Sequence, residues 1–197
     1  MRKIYFVRHG ETNANVEKRY CGYTDIELNG NGTMQAKNIS KILEKYNIDL
    51  IYSSDLIRAK TTAEEINKYH KLNIEYLSEL REMNFGILED LTFKEIGKFY
   101  PEEKEKILDL DNNYQFTDGE SLSMLYKRVN KIFNEIINKN LDKNILIVSH
   151  GGAIQSILTE ILSGDINRYW NIEIENCKIS TVVDTSGFFY LKNLNIL

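Results

Sequence analysis

The sequence predicts an α/β fold, a three-layer αβα sandwich around a mostly parallel sheet. Apolar runs of strand length, Ile4-Tyr5-Phe6-Val7 and Ile145-Leu146-Ile147-Val148 foremost, alternate with stretches whose apolar residues recur at helical spacing. Strands interleaved with helices in this way bury a parallel sheet on both faces. With 197 residues and 42% hydrophobic content the chain can bury one substantial core, and no shift in composition marks a linker. One domain over residues 1–197 is therefore expected.

The first strand runs from Ile4 to Val7 directly into Arg8-His9-Gly10. Gly30-Asn31-Gly32 is expected to break the chain before an amphipathic helix that carries Ile39, Ile42, Leu43 and Tyr46. Ile48 to Ser53 reads as a short strand, Ser54 as an N-cap, and Leu56 to Tyr69 as a helix burying Ala59, Ala63 and Ile66. Ile74 to Leu77 is the next strand. Thr92 and Glu95 suit a capping box for a short helix that must end before Pro101, because the residue preceding a proline is kept out of the helical region. Pro101 then opens the turn Glu102 to Leu108, which leads into a polar stretch from Asp109 to Gly119. Ser121 caps the longest helix, whose stripe from Leu122 through Leu125, Val129, Phe133 and Ile136 to Ile137 is core packing. Asn144 to Val148 forms another buried strand, followed by a helix made by Ile154, Ile157, Leu158, Ile161 and Leu162 that stops at Gly164. Cys177 to Asp184 and Phe188 to Leu191, joined through Ser186-Gly187, read as a strand pair.

Composition narrows the function. A single proline and 11 glycines exclude collagen-like and proline-rich architectures. No apolar stretch exceeds strand length and Met1-Arg2-Lys3 enters a strand directly, so membrane spanning and secretion are not expected. A net charge of −4, with no basic stripe, argues against a nucleic-acid partner. Cys21 and Cys177 are expected as free thiols in a cytoplasmic protein, since a domain of this size needs no disulfide.

Chemistry concentrates at two strand ends. Ile4 to Val7 is followed by Arg8-His9-Gly10-Glu11-Thr12, and Ile145 to Val148 by Ser149-His150-Gly151-Gly152. Ligands of open α/β sheets bind beyond the carboxyl ends of the strands, so parallel neighbours ending this way would hold two imidazoles side by side. A lone histidine is more often a satisfied loop residue, and His70, in a polar helix end, keeps that reading. Two of three histidines at equivalent positions beside glycine do not. Metal binding is not expected, because no His-x-x-x-His or Cys-x-x-Cys spacing accompanies them.

Together with Asn15, Gly22 to Gly32, Ser53 to Ala63, Leu80 to Gly86 and Gly119-Glu120-Ser121-Leu122, these motifs resemble the histidine phosphatase superfamily, whose fold is phosphoglycerate-mutase-like. Six segments in order span nearly the whole chain. The resemblance implies that His9 accepts a phosphoryl group, that Arg8, Arg58 and His150 hold its oxygens, and that Glu82 is the acid and base. It also implies substrate contacts from Asn15, Cys21, Gly22 and the Gly151 backbone, with no cofactor and no metal. Independent chemistry agrees: a neutral imidazole is nucleophilic near pH 7 without a prior base, and phosphoryl transfer asks mainly for fixed cations. Spacing alone does not choose Glu82 over Glu79 or Glu89. Departures from the family pattern fall at Glu89-Asp90, often Glu-Gly, and at Thr61, usually glutamine; they bear on loop geometry rather than on phosphoryl transfer.

The expected activity is hydrolysis of a small organic phosphomonoester through a phosphohistidine. By resemblance the short bacterial branch that includes α-ribazole phosphatases is nearest. A cofactor-dependent phosphoglycerate mutase is the alternative, disfavoured by the short, acidic span between Glu82 and His150. An inactive phosphate-binding regulator is a second alternative. A homodimer is left open, and Cys21 near the pocket mouth raises the question of oxidative inhibition.

Overall fold

The computed structural model describes residues 1–109 and 111–197. Leu110, within the polar stretch expected from Asp109 to Gly119, lies outside the described residues. In chain order the strands are β1 (Arg2–Arg8), β2 (Arg19–Tyr20), β3 (Leu50–Ser53), β4 (Ile74–Tyr76), β5 (Leu91–Thr92), β6 (Ile145–Ser149), β7 (Ile179–Thr185) and β8 (Phe188–Ile196). The helices are α1 (Asn13–Glu17), α2 (Gly30–Leu43), α3 (Ile57–His70), α4 (Phe93–Phe99), α5 (Pro101–Leu108), α6 (Leu122–Lys139) and α7 (Gly151–Ser163).

Six strands make the central sheet in the order β4-β3-β6-β1-β7-β8, while β2 and β5 form a separate short ladder. β4, β3, β6 and β1 run parallel; β7 and β8 are antiparallel additions on the β1 side. The expected mostly parallel sheet is therefore found, with a C-terminal hairpin longer than the sequence indicated.

Side chains of a strand alternate between faces, and both faces here are covered. Tyr5, Val7, Leu146 and Val148 pack under α2 and α3 against Ile39, Leu43, Ala63 and Ile66. Ile4, Phe6, Ile145 and Ile147 pack on the other side against the stripe of α6 and against Ile154 and Ile157 of α7. A third, small core of Leu88, Ile96 and Phe116 lies in the segment between β4 and α6.

Two local expectations are corrected. Gly30-Asn31-Gly32 does not break the chain; it forms the first turn of α2, capped by Asn29, whose Oδ1 accepts from the Gly32 N–H at 2.7 Å. Gly32 is needed for packing, because a Cβ there would collide with the Glu11 carbonyl. Ser54 does not cap α3, which begins after Leu56 without a side-chain cap of its own. Asp25, from a distant loop, accepts from the Ile57 N–H at 2.7 Å instead. The capping box of Thr92 and Glu95 and the Ser121 cap are present as expected.

Candidate active site

β1 and β6 are parallel neighbours with Arg8 opposite Ser149, so the residues one step further, His9 and His150, leave the sheet together. The His9 N–H donates to the Ser149 carbonyl at 2.9 Å, which locks the two exits in register. Their rings lie 5.1 Å apart, centroid to centroid, at an interplanar angle of 60°.

His9 Nδ1 stands 2.7 Å from its neighbour's carbonyl, Gly10 O. A carbonyl only accepts, so Nδ1 carries the proton and Nε2 keeps its lone pair. Burial, and then the Arg58 and Arg8 guanidiniums, hold the His9 pKa well below its ordinary value, and the ring is neutral at pH 7. The same causes, burial first and Arg58 next, depress His150. Its Nε2 is 2.8 Å from Ser54 Oγ, which also accepts from the Leu56 N–H at 3.3 Å. Nε2 is the acceptor available to the serine hydroxyl, and with that proton directed at it His150 carries its own proton on Nδ1, which is buried and has no partner among the described residues.

Arg8 bonds the Ile174 carbonyl through one terminal nitrogen at 2.7 Å, and its Nε is likewise buried without a partner among the described residues. Burial works against the charge of this guanidinium and the Glu82 carboxylate supports it. Arg58, only 1% exposed, spends its terminal nitrogens on the Thr24 carbonyl at 2.9 Å and the Gly22 carbonyl at 2.6 Å. The loop from Cys21 to Thr24 is thus held by a cation, and also by an anion. Glu89 accepts from the N–H groups of Gly22, Tyr23, Thr24 and Phe85, at 2.8 to 3.0 Å. That bonding makes Glu89 a strut of the loop, which separates it from Glu82 as spacing could not.

Glu82 sits at the N-terminus of α7. Its Oε2 accepts from the Gly152 N–H at 2.9 Å and its Oε1 from the Met83 N–H at 3.0 Å, at a helix end that favours negative charge. Its loop is fixed from behind by Arg128, which pairs with both oxygens of Glu120 at 2.7 and 2.8 Å and donates to the Glu82 carbonyl at 3.2 Å.

A cavity of about 550 Å³ opens over these groups, with Arg8, Asn15, Cys21, Glu82 and Gly152 in its lining. His9, Arg58 and His150 are buried behind that lining. One wall is aromatic: Tyr20, Phe85, Phe116 and Tyr114 succeed one another with ring centroids 5.1 to 5.6 Å apart. Asn15 does double duty, since its Oδ1 accepts from the Thr12 N–H in the capping box of α1 while the residue lines the cavity. Gly22 has both backbone groups spent, on Glu89 and on Arg58. Gly151 packs beneath Arg8, its Cα leaving 3.5 Å between a built Cβ and the guanidinium carbon. Burial pushes the Cys21 thiol up to about 11, so it is a thiol rather than a thiolate at neutral pH, which removes the basis for easy oxidation. His70 closes α3 at the end remote from the cavity.

Sequence reasoning missed Ser54 as the partner of His150, read it as a cap, and passed over Asn176 and Tyr169. The Asn176 amide donates to the His9 carbonyl at 2.8 Å, and Asn176 and Tyr169 both line the cavity. No local pattern announces either. Among the described residues no group of three or more histidine, cysteine or acidic side chains is arranged to hold a metal ion, and no helix is long and apolar enough to cross a membrane.

Known proteins are similar to this chain in sequence and in fold. The chain is 33% identical over 196 residues to the uncharacterized phosphatase PhoE of Bacillus subtilis, covering 100% of this chain and 95% of that one. It is 29% identical over 182 residues to phosphoserine phosphatase 1 of Hydrogenobacter thermophilus, covering 92% and 86%. The crystal structure of the alpha-ribazole phosphatase from Shigella flexneri superposes with a TM-score of 0.93 at 27% identity, covering 98% of this chain and 96% of that one. Residues 4–197 match the family model of the histidine phosphatase superfamily, branch 1. With paired imidazoles at the ends of adjacent parallel strands and a family match over almost its full length, the chain belongs to the histidine phosphatase superfamily.

Proposed function

We propose that the protein hydrolyses a small organic phosphomonoester through a phosphohistidine at His9, without a metal. The observation that carries this reading is a pair of neutral, oppositely bonded imidazoles buried beside Arg8, which together with Glu82 lines one cavity. His9 Nε2 attacks phosphorus while Glu82 protonates the departing alcohol oxygen. In the second step water attacks the phosphohistidine, Glu82 takes its proton, and phosphate leaves with His9 restored. The free Arg8 Nε and the His150 Nδ1–H are donors for the phosphoryl oxygens, and the charge of Arg58 lies beside them; such fixed donors supply what phosphoryl transfer requires. Asn15 and the Gly151 amide are further donors at that place.

The aromatic wall supports a ring-bearing alcohol, and α-ribazole 5′-phosphate is the substrate we favour. The Shigella flexneri neighbour, an alpha-ribazole phosphatase, supports the same choice. The unpaired thiols of Cys21 and Cys177 suit a cytoplasmic setting, and a net charge of −4 suits a small-molecule partner rather than a nucleic acid.

The test is hydrolysis of p-nitrophenyl phosphate in the presence of a chelator, followed by a panel that includes α-ribazole phosphate, phosphoserine and 3-phosphoglycerate with 2,3-bisphosphoglycerate. Turnover lost in His9→Ala, with α-ribazole phosphate leading the panel, is expected. A protein that binds phosphate but turns nothing over would overturn the reading. Rapid formation of 2-phosphoglycerate would make it a mutase.

A further inference from the structure

Gly152 is the point where two oxygens from separate segments meet. A Cβ built on it would overlap Glu82 Oε1 and stand 2.7 Å from the hydroxyl oxygen of Tyr169. Both oxygens thus border the space that a side chain at 152 would fill, and no hydrogen bond joins them as they stand. Tyr169 comes from the turn Ile166–Asn171 that follows α7, is 4% exposed, and lines the same cavity as Glu82 and Arg8. Its ring is held edge-on against Trp170, with centroids 4.9 Å apart at 89°. Its hydroxyl has no hydrogen-bond partner among the described residues, whereas each Glu82 oxygen already takes one backbone N–H.

We propose that Tyr169 is a positioning residue for Glu82, its phenol O–H donating to the carboxylate that appears when Glu82 gives its proton to the departing alcohol oxygen. This rests on the acid role given to Glu82 above. The phenol suits the task because it gives up no proton of its own: burial, and then the nearby Glu82 charge, hold its pKa well above 10. A donor aimed at charge that develops during the reaction lowers the barrier, whereas one that serves both protonation states equally does not.

The reading is tested by leaving-group dependence in Tyr169→Phe, which keeps the ring and its contact with Trp170. An alkyl phosphate such as glycerol phosphate needs its leaving oxygen protonated; p-nitrophenyl phosphate releases a stable anion and hardly does. For the alkyl substrate kcat/KM is expected to fall about tenfold, the worth of one hydrogen bond in the transition state. For p-nitrophenyl phosphate it should stay within about twofold of the parent. Glu82→Gln, run beside it, should show the same split more strongly. Equal losses on both substrates in Tyr169→Phe, with the split intact in Glu82→Gln, would overturn the proposal alone. No split in Glu82→Gln would overturn the acid reading, and this proposal with it.

Discussion

Ser54 shows how a single hydroxyl can set the chemistry of a site to which it contributes no reacting atom. Its proton fixes the tautomer of His150, and with it which nitrogen faces the cavity. Ser54→Ala is expected to lower kcat/KM on p-nitrophenyl phosphate about tenfold and to cost about 1 kcal/mol in stability, the ordinary worth of one buried hydrogen bond; kinetics and urea unfolding measure the two. An unchanged rate would show that His150 keeps its tautomer without help. The paired placement of His9 and His150 was legible in the sequence, because each follows a buried strand run directly, whereas Glu82 and Arg58 were singled out only by the family resemblance. Ser54, Asn176 and Tyr169 were not legible, because their meaning lies in contacts across the sheet and across the N-terminus of α7 that no local spacing encodes. The resemblance marked Arg58 as a site residue, but not its grip on the Thr24 and Gly22 carbonyls.

At the scale of elements, the loop over Arg58 depends on one acidic strut. Glu89→Ala would leave four backbone N–H groups without their acceptor. A loss of about 3 kcal/mol or less is expected, since hydrogen bonds to a charged group are each worth roughly 1.5–3 kcal/mol and water repairs part of the damage. Activity should fall alongside, because Arg58 loses the carbonyls that position it. Calorimetry with steady-state kinetics follows both, and an unaltered melting temperature would refute the strut. The N-cap of α2 is a smaller effect: Asn29→Ala should cost about 1 kcal/mol in urea unfolding. Helix α2 also explains a misreading. Two glycines around an asparagine signal a break by propensity, yet here they open a helix, because the backbone of Glu11 must lie directly on Gly32 and tolerates no side chain there.

For the whole molecule, acid lability follows from the two buried imidazoles. In the folded chain His9 and His150 stay neutral well below their ordinary value of 6.5, whereas in the unfolded chain they take up protons near it. The unfolded state then binds more protons, so stability is full above about pH 6.5 and declines as pH falls below it. The slope is at most about 1.4 kcal/mol per pH unit for each ring. Melting temperatures taken from about pH 7.5 down to about pH 5.5 should drop in the parent and drop less in the His9→Asn, His150→Asn double variant. A flat parent profile would contradict neutral burial.

The sheet order carries a consequence for how the chain comes into being. β1, which ends one residue before His9, precedes the other described strands in sequence, yet it lies between β6 and β7, whose residues begin at 145 and 179. A nascent chain must carry an apolar, unpaired Ile4-Tyr5-Phe6-Val7 until Ile145 to Val148 of β6 have been made, and its other edge stays open until β7 follows, the interval in which open strand edges invite aggregation. The strand that leads into the nucleophile therefore gains its second neighbour only once β7 has been made, and a chain cut between β6 and β7 would leave one edge of β1 open.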